Sequence, residues 1–102
     1  MLLQSAQDQE GKISSLYDSS NVLASKYDPN SRKFVIIFNN GGQYLYEDVT
    51  KHTFDEFQKA KSQGSAVHSI IKKHHAKKVG VIDVDTIISD IDKIKKENET
   101  KN

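Results

Sequence analysis

Short apolar runs in the first half of the chain have the length and composition of β-strands. Residues 34–38 are five β-favouring residues in succession, and residues 21–27 before them have the pattern of a short strand. A third run, residues 43–49, follows Asn40-Gly41, a pair that tolerates the positive φ values of a two-residue hairpin turn. The pattern predicts a three-stranded antiparallel meander.

The hairpin turn also decides which side chains share a face of this sheet. A turn at Asn40-Gly41 sets Ile37 opposite Tyr44, and the period of two then assigns the other positions. One predicted face holds Val35, Ile37, Tyr44 and Tyr46, and the other holds Phe34, Ile36, Phe38 and Leu45. Both faces are apolar, and two helices can cover only one of them. We therefore expect the second face to meet a ligand, a further helix or another subunit.

Three amphipathic segments follow the meander. Thr53 and Glu56 have capping-box spacing at the start of a first helix, Ser65 can cap a second helix, and Asp83 can cap a third. The apolar residues of the last two recur at helical spacing; they are Val67, Ile70 and Ile71 in the second helix and Val84, Ile87, Ile88, Ile91 and Ile94 in the third. The predicted fold class is α+β: a three-stranded antiparallel β-meander followed by two helices, plus an extra C-terminal amphipathic helix.

Both ends of the chain are more polar than its middle. Residues 1–17 are rich in Gln, Ser and Asp and predict a flexible N-terminal arm, and residues 97–102 are expected to fray. At 102 residues the chain has the length of one domain. The expected organisation is an arm over residues 1–17, an α+β domain over residues 18–78, and a C-terminal helix within residues 79–102 that could serve oligomerisation.

The composition narrows the possible chemistry. With no cysteine there is no disulfide, thiol nucleophile or thiolate metal site. No apolar run is long enough to span a bilayer, and the first residues lack a signal-peptide core, so we expect a cytoplasmic protein without a membrane partner. The net charge is +1, but residues 51–78 carry seven lysines against Asp55 and Glu56, a local net charge of +5. Such a local charge favours a defined anionic ligand.

The order of several short motifs resembles the KTSC domain, a small domain found at the C-terminus of some lysyl-tRNA synthetases and alone in small bacterial and phage proteins. The resemblance covers roughly residues 19–73 and centres on a Tyr-x-Tyr motif. It rests on Ser19-Ser20-Asn21-Val22, Tyr27-Asp28, Phe38, Gly42, Tyr44-Leu45-Tyr46, Val49 and Ser62-Gln63-Gly64. It implies nucleic-acid binding, in the host cytoplasm if the protein is phage-encoded. The chain departs from the family in Thr50-Lys51, where a proline is common, and in its added C-terminal helix.

Tyr44 and Tyr46 have two readings. Exposed on the sheet, they would form a platform on which bases stack, worth about 1–3 kcal/mol per base. Buried, they are core or interface residues with their hydroxyls at the rim. The prediction of a ligand site depends on the first reading.

Two basic segments could hold phosphate groups. The loop Ser62-Gln63-Gly64-Ser65 can present backbone amides to an anion, with Lys61 before it and His68 after it. Residues 72–78 add four lysines, Lys72 and Lys73 among them, and two histidines. The alternatives are a capped turn between helices and a solvated helix end.

Metal and catalytic sites are not expected, and no cofactor is implied. His74 and His75 are adjacent in a predicted helix and diverge by roughly 100°, so they cannot readily chelate one ion. Asp90 and Asp92 are two residues apart in a predicted helix, so they also face different ways. No nucleophile elbow, P-loop or zinc spacing is present. We expect a protein that is not an enzyme.

The C-terminal helix offers a self-association surface. Val84, Ile87, Ile91 and Ile94 follow a short a/d-like spacing, and Ile88 widens the stripe. The helix either packs on its own domain or joins copies into a homo-oligomer, and the apolar sheet faces favour the second reading.

Two functions therefore compete. The first is a binding module for nucleic acid or nucleotide phosphates, including a phage counter-defence protein that sequesters a signalling nucleotide in an oligomer. The second is a docking or virion component that binds a host or phage protein through the sheet and the isoleucine stripe.

Overall fold

A six-stranded antiparallel sheet forms the body of the protein in the computed structural model, which describes residues 1–100. The strands lie in chain order across the sheet, each antiparallel to its neighbours. They are β1 (Leu2–Gln7), β2 (Ile13–Tyr17), β3 (Val22–Asp28), β4 (Lys33–Phe38), β5 (Gly42–Tyr46) and β6 (Ala76–Val81). The α+β class is confirmed, but three strands is too few.

The first two strands replace the flexible arm expected over residues 1–17. In β2, Ile13, Ser15 and Tyr17 alternate inward and are buried, while Ser14 is exposed. The Tyr17 hydroxyl lies 2.7 Å from the Ser25 hydroxyl, a buried hydrogen bond between β2 and β3. The prediction was wrong because the adjacent Ser14 and Ser15 interrupt the apolar alternation, although Ser15 points into the core.

Two short helices and a π-helical segment cover one face of the sheet, the face of Phe34 and Ile36, which we call the first face. They are α1 (Lys51–Lys59), α2 (Gln63–Ala66) and the π-helical segment (Val67–Ile71). Their buried residues pack on β2–β5 around an aromatic cluster, in which Tyr27 stacks on Phe54 with ring centroids 4.4 Å apart. This face holds the larger of the two cores.

The helix starts differ from those predicted. Thr50, not Thr53, caps α1, and its hydroxyl accepts a hydrogen bond from the Thr53 amide at 3.2 Å. Ser62, not Ser65, caps α2 in the same way. In both cases the predicted cap is the third residue of the helix, whose amide the true cap satisfies.

The third helix, α3 (Asp85–Thr100), covers the second face of the sheet. Ile91 is 5% exposed and packs with Leu23, Ala24 and Ile37, and Val84 and Ile87 are partly buried beside them. Most of the predicted oligomerisation stripe therefore packs on its own sheet. Ile88 is exposed and Ile94 is half-buried. Of the three covers considered for the second face, a ligand, a further helix or another subunit, the structure shows the helix.

The C-terminal end of α3 includes part of the segment that was expected to fray. Residues 97–100 continue the helix where fraying was expected, and residues 101–102 lie outside the described residues. Lys95 pairs with Asp18 at 3.0 Å, so α3 is also tied to the β2–β3 connection.

Over the part of the chain that is described, no helix is long and apolar enough to cross a membrane.

The β4–β5 hairpin has a register one residue away from the predicted one. Phe34 pairs with Tyr46 and Ile36 with Tyr44. The connection has three residues, because the Gly41 amide donates to the Phe38 carbonyl at 2.9 Å and Gly41 alone in the turn has a positive φ, of 90°. One additional turn residue moves every side chain of a strand to the opposite face. Tyr44 and Tyr46 therefore lie with Phe34, Ile36 and Phe38 on the first face.

Residues 72–81 also differ from the prediction. The second helix ends near Ile71, and a short turn containing His74 and His75 leads into β6. The segment predicted as a solvated helix end is thus a turn followed by an edge strand that pairs with β5. The strand was missed because its two lysines continue the basic run of residues 72–78, and an edge strand with both sides in water lacks the alternation of a half-buried one.

Candidate functional site

A cleft of about 410 Å³ opens between the β4–β5 hairpin and the π-helical segment on the first face. Aromatic, amide and imidazole side chains surround it. Its lining consists of Asn21, Phe38, Asn39, Asn40, Tyr44, Tyr46, Gly64, Val67, His68 and Ala76. This combination of apolar surface with a few convergent polar groups is typical of small-molecule sites.

The hairpin supplies the aromatic wall of the cleft. Phe38 and Tyr44 meet edge to face, with ring centroids 5.5 Å apart. Tyr46 is 5% exposed, and burial, followed by the neighbouring Tyr44, raises the pKa of its hydroxyl. Tyr44 is half-buried and reaches the cleft. The tyrosines are thus the wall of a pocket and not an open stacking platform.

Asparagine side chains line the mouth of the cleft. Asn40 Oδ1 accepts a hydrogen bond from the Gly42 amide at 2.9 Å, and Asn39 Nδ2 donates to the Ser20 carbonyl at 2.6 Å. These bonds fix the two amide groups in position. The side chain of Asn21 has no hydrogen-bond partner among the described residues, so its donor and acceptor are available to a ligand.

Gly64 lets the loop before the π-helical segment approach Asn21 closely. A Cβ atom at this position would lie 2.8 Å from Asn21 Nδ2, which is too close for an ordinary contact. A side chain at this position would displace the Asn21 amide group, which is the mobile end of an exposed side chain. The part of Gly64 in the cleft is to bring the π-helical segment up to the β2–β3 connection.

His68 stands on the π-helical segment at the edge of the cleft. It is exposed, and its ring has no hydrogen-bond partner within residues 1–100. Lys72 and Lys73 follow about one turn later, and both are exposed. Widened helical turns of this kind are frequent at functional sites. His68 thus brings an exposed imidazole to the cleft, and the two exposed lysines follow it in the chain without lining the cleft.

A further lysine lies near the aromatic wall. Lys78 of β6 pairs with Tyr44 of β5, and directly paired residues share a face of the sheet. Sequence analysis missed this neighbour because it assigned Lys78 to a helix. Together with the lysines after the π-helical segment, Lys78 gives the first face of this edge a positive character.

The structure brings together four of the nine predicted ligand residues. Tyr44, Tyr46, Gly64 and His68 line the cleft; Lys61, Ser62, Ser65, Lys72 and Lys73 do not. The segment predicted as a loop over residues 62–65 is the N-cap and first turn of α2, because the Ser62 hydroxyl accepts from the Ser65 amide and the buried Gln63 donates to the Ala60 carbonyl at 2.9 Å.

Six lining residues were not among the predicted ligand residues: Asn21, Phe38, Asn39, Asn40, Val67 and Ala76. Asn39 and Asn40 were assigned to the hairpin turn, where their role in turn geometry concealed their role in the cleft. Only a correct hairpin register would have put Phe38 beside Tyr44.

Metal binding finds no support in the arrangement of side chains. Within residues 1–100, no group of three or more histidine, aspartate and glutamate side chains could hold an ion. His74 Nδ1 lies 3.1 Å from the Glu47 carbonyl, which ties the turn before β6 to the end of β5.

Comparisons with known proteins agree on one family. The family model of the KTSC domain matches residues 18–75, which is more than half of the chain. The crystal structure of a KTSC domain protein from Yersinia pestis is similar, with a TM-score of 0.64 and 31% sequence identity. The similarity covers 68% of this chain and 99% of that one. No curated protein matches the chain.

Proposed function

The chain belongs to the KTSC domain family, and we propose that it is a non-enzymatic binding module whose cleft holds a nucleobase, with the phosphates of the same nucleotide at the basic side. The observation that carries the proposal is the convergence of Tyr44, Asn21 and His68 on one cleft of about 410 Å³. We propose a nucleotide as the ligand, and not a simple anion, because the cleft has both an aromatic wall and amide groups.

The size of the cleft supports a single base as its occupant. Small-molecule sites typically measure about 300–1,000 Å³, and this cleft lies near the lower end. The partly buried Tyr44 and Phe38 offer one wall to a planar ring, and the side chain of Asn21 offers both a donor and an acceptor to its edge. A flat surface for successive stacked bases would need both tyrosines exposed, which the geometry of Tyr46 does not allow.

The charges around the cleft support phosphate as the second part of the ligand. His68 lines the cleft, Lys72 and Lys73 follow it in the chain as exposed residues, and Lys78 is paired with Tyr44 on the neighbouring strand. No described acidic residue forms an ion pair with any of these four. Lys61, Ser62 and Ser65 precede the π-helical segment, do not line the cleft and are not part of the proposed site.

The test is a binding titration with a panel of nucleoside monophosphates, cyclic nucleotides, a short single-stranded RNA and duplex DNA. His68→Ala and Asn21→Ala should each weaken the tightest ligand about tenfold, because each removes one hydrogen bond to a charged or polar group. His52→Ala is the matched control, since His52 is exposed on α1 and lies outside the cleft. Equal binding by all four proteins would contradict the site.

The same titration distinguishes a strand from a single nucleotide. Affinity for a strand should fall steeply as salt rises, because several phosphates release counterions together, whereas one nucleotide shows a shallow dependence. Light scattering with and without ligand then tests the sequestering form of the proposal. A rise in molecular mass on binding would indicate a site shared between copies, as a protein that captures a signalling nucleotide in an oligomer requires.

A further inference from the structure

β6 forms an outer edge of the sheet and has no strand beside it among the described residues. Five of its six residues are exposed, and the sixth, Gly80, is half-buried. Every second residue of an edge strand directs its backbone N–H and C=O groups away from the sheet, which makes the edge a template for an added strand.

The side chains of β6 are both apolar and basic. Val79 is 48% exposed and Val81 is 65% exposed, and they account for two of the four exposed large apolar residues that the described chain shows. Lys77 and Lys78 form no ion pair with a described residue. The surrounding sequence contains no acidic residue between Glu56 and Asp83.

The chemistry of this edge selects among possible occupants. A second copy meeting the first along β6 would bring four lysines together with no acidic residue in either strand, which like-charge repulsion disfavours. The opposite edge, β1, has no charged residue and is a poorer template for a charged partner. An extended segment with acidic residues satisfies both the backbone and the lysines.

We propose that β6 binds an extended acidic segment of a partner protein as a seventh strand of the sheet. Lys77 and Lys78 are neighbours in the strand and therefore project to opposite faces, so the segment needs two adjacent acidic residues opposite them. β-Branched residues next to these acids would pack on Val79 and Val81. Strand addition of this kind gains affinity from the backbone and specificity from the alternate side chains.

The alternative interpretation of the same features is that they protect the edge strand from unwanted association. Lysines in an edge strand and an irregular pairing discourage unwanted association, and the β5–β6 register shifts between Gln43 and Tyr44. Protection alone, however, does not require two large apolar side chains in water on the same short strand. The two readings give opposite results in the following experiment.

The probe is the hexapeptide Val-Thr-Val-Glu-Glu-Thr, blocked at both ends, titrated into the full chain and followed by NMR. Two further peptides carry N-methyl groups on alternate residues, one on the odd positions and one on the even positions. In a strand pair only every second N–H faces the partner. Strand addition therefore predicts that one N-methylated peptide loses binding and the other keeps it, with shifts confined to β6 and its neighbours.

Charge-reversal variants complete the test. Lys77→Glu combined with Lys78→Glu should weaken the unmodified peptide by about tenfold or more, and Lys59→Glu combined with Lys61→Glu is the control with the same change of net charge. His68→Ala should leave peptide binding unchanged, because His68 lies on the π-helical segment and not on β6. Equal binding of both N-methylated peptides, equal effects of the two charge reversals, or no binding of the unmodified peptide would each overturn the proposal.

Discussion

The replacement Ile91→Ala tests how α3 is held on the second face of the sheet. Ile91 is 5% exposed and packs with Leu23, Ala24 and Ile37. It is the most deeply buried residue of α3 among those described. If α3 is an integral cover of this face, truncating Ile91 should destabilise the whole protein and loosen the helix first.

The magnitude follows from the buried side chain. Ile→Ala removes three carbon atoms, each worth about 0.8 kcal/mol of transfer free energy when buried, and a small cavity term adds to this. Because α3 lies on the surface and can settle into the space, we expect a loss near 2.5 kcal/mol, at the lower end of the range for core truncations. For a domain of this size that loss lowers the melting temperature by roughly 10–20 °C.

The matched control is Ile88→Ala, one turn earlier in the same helix. Ile88 is 39% exposed, so its truncation should cost at most about 1 kcal/mol, partly offset by the better helix propensity of alanine. Urea unfolding followed by circular dichroism gives both free energies. Hydrogen exchange of the α3 amides shows whether the helix opens before the sheet does.

Two results would refute this account of α3. Equal losses for Ile88→Ala and Ile91→Ala would mean that the stripe does not pack as the structure has it. A melting temperature that rises with protein concentration would mean that the stripe is covered by another copy, since association stabilises the native state by mass action.

Three further predictions concern the sheet and its turns. Tyr27→Phe removes the hydrogen bond that the buried Tyr27 hydroxyl donates to the Val49 carbonyl at 2.6 Å, and should cost about 1–3 kcal/mol by leaving that carbonyl unpaired. Gly41→Ala should cost about 1–3 kcal/mol, because φ is 90° there and a Cβ atom would collide with the Ile82 carbonyl. Burial raises the pKa of Tyr17 to about 12, so the folded state disfavours the ionised form. The resulting stability is present below pH 10 and is lost as pH rises from about 10 to 12, by up to about 2–3 kcal/mol.

Each of these predictions has its own control. Tyr44→Phe should be nearly neutral in unfolding, because the Tyr44 hydroxyl has no partner among the described residues, and a loss equal to that of Tyr27→Phe would contradict the buried bond. Gly80→Ala meets nothing closer than 3.6 Å and should cost less than Gly41→Ala; the reverse order would contradict the turn geometry. Tyr17→Phe should flatten the alkaline loss of stability, and an unchanged curve would show that Tyr17 does not cause it.

The parts of the fold that the sequence predicted are those with strong local signals. The runs that became β3, β4 and β5 are rich in β-favouring residues, and the apolar stripe of α3 has helical spacing. Both signals depend on short stretches of chain, so the elements can be recognised without knowledge of the tertiary structure. The family resemblance also rested on short motifs in order, and the family match confirms it.

The parts that were missed depend on distant partners or on single residues. β1 and β6 are edge strands that lack a regular alternation of apolar and polar residues, and their pairing with neighbours in the sheet makes them strands. The face of Tyr44 was wrong because one additional residue in the turn decides it. The cleft could be predicted only in part, since Asn21 and His68 are 47 positions apart in the sequence and only the fold brings them together.

The measurement that bears most directly on the proposed function is an NMR titration of the isotopically labelled full chain with adenosine monophosphate and then with the other nucleotides of the panel. The account predicts chemical-shift changes for at least one nucleotide that centre on Asn21, Tyr44, Gly64 and His68, with little change along α3 or β1. Shifts that spread over the lysines without reaching these four residues, or spectra that stay unchanged for every nucleotide, would contradict it.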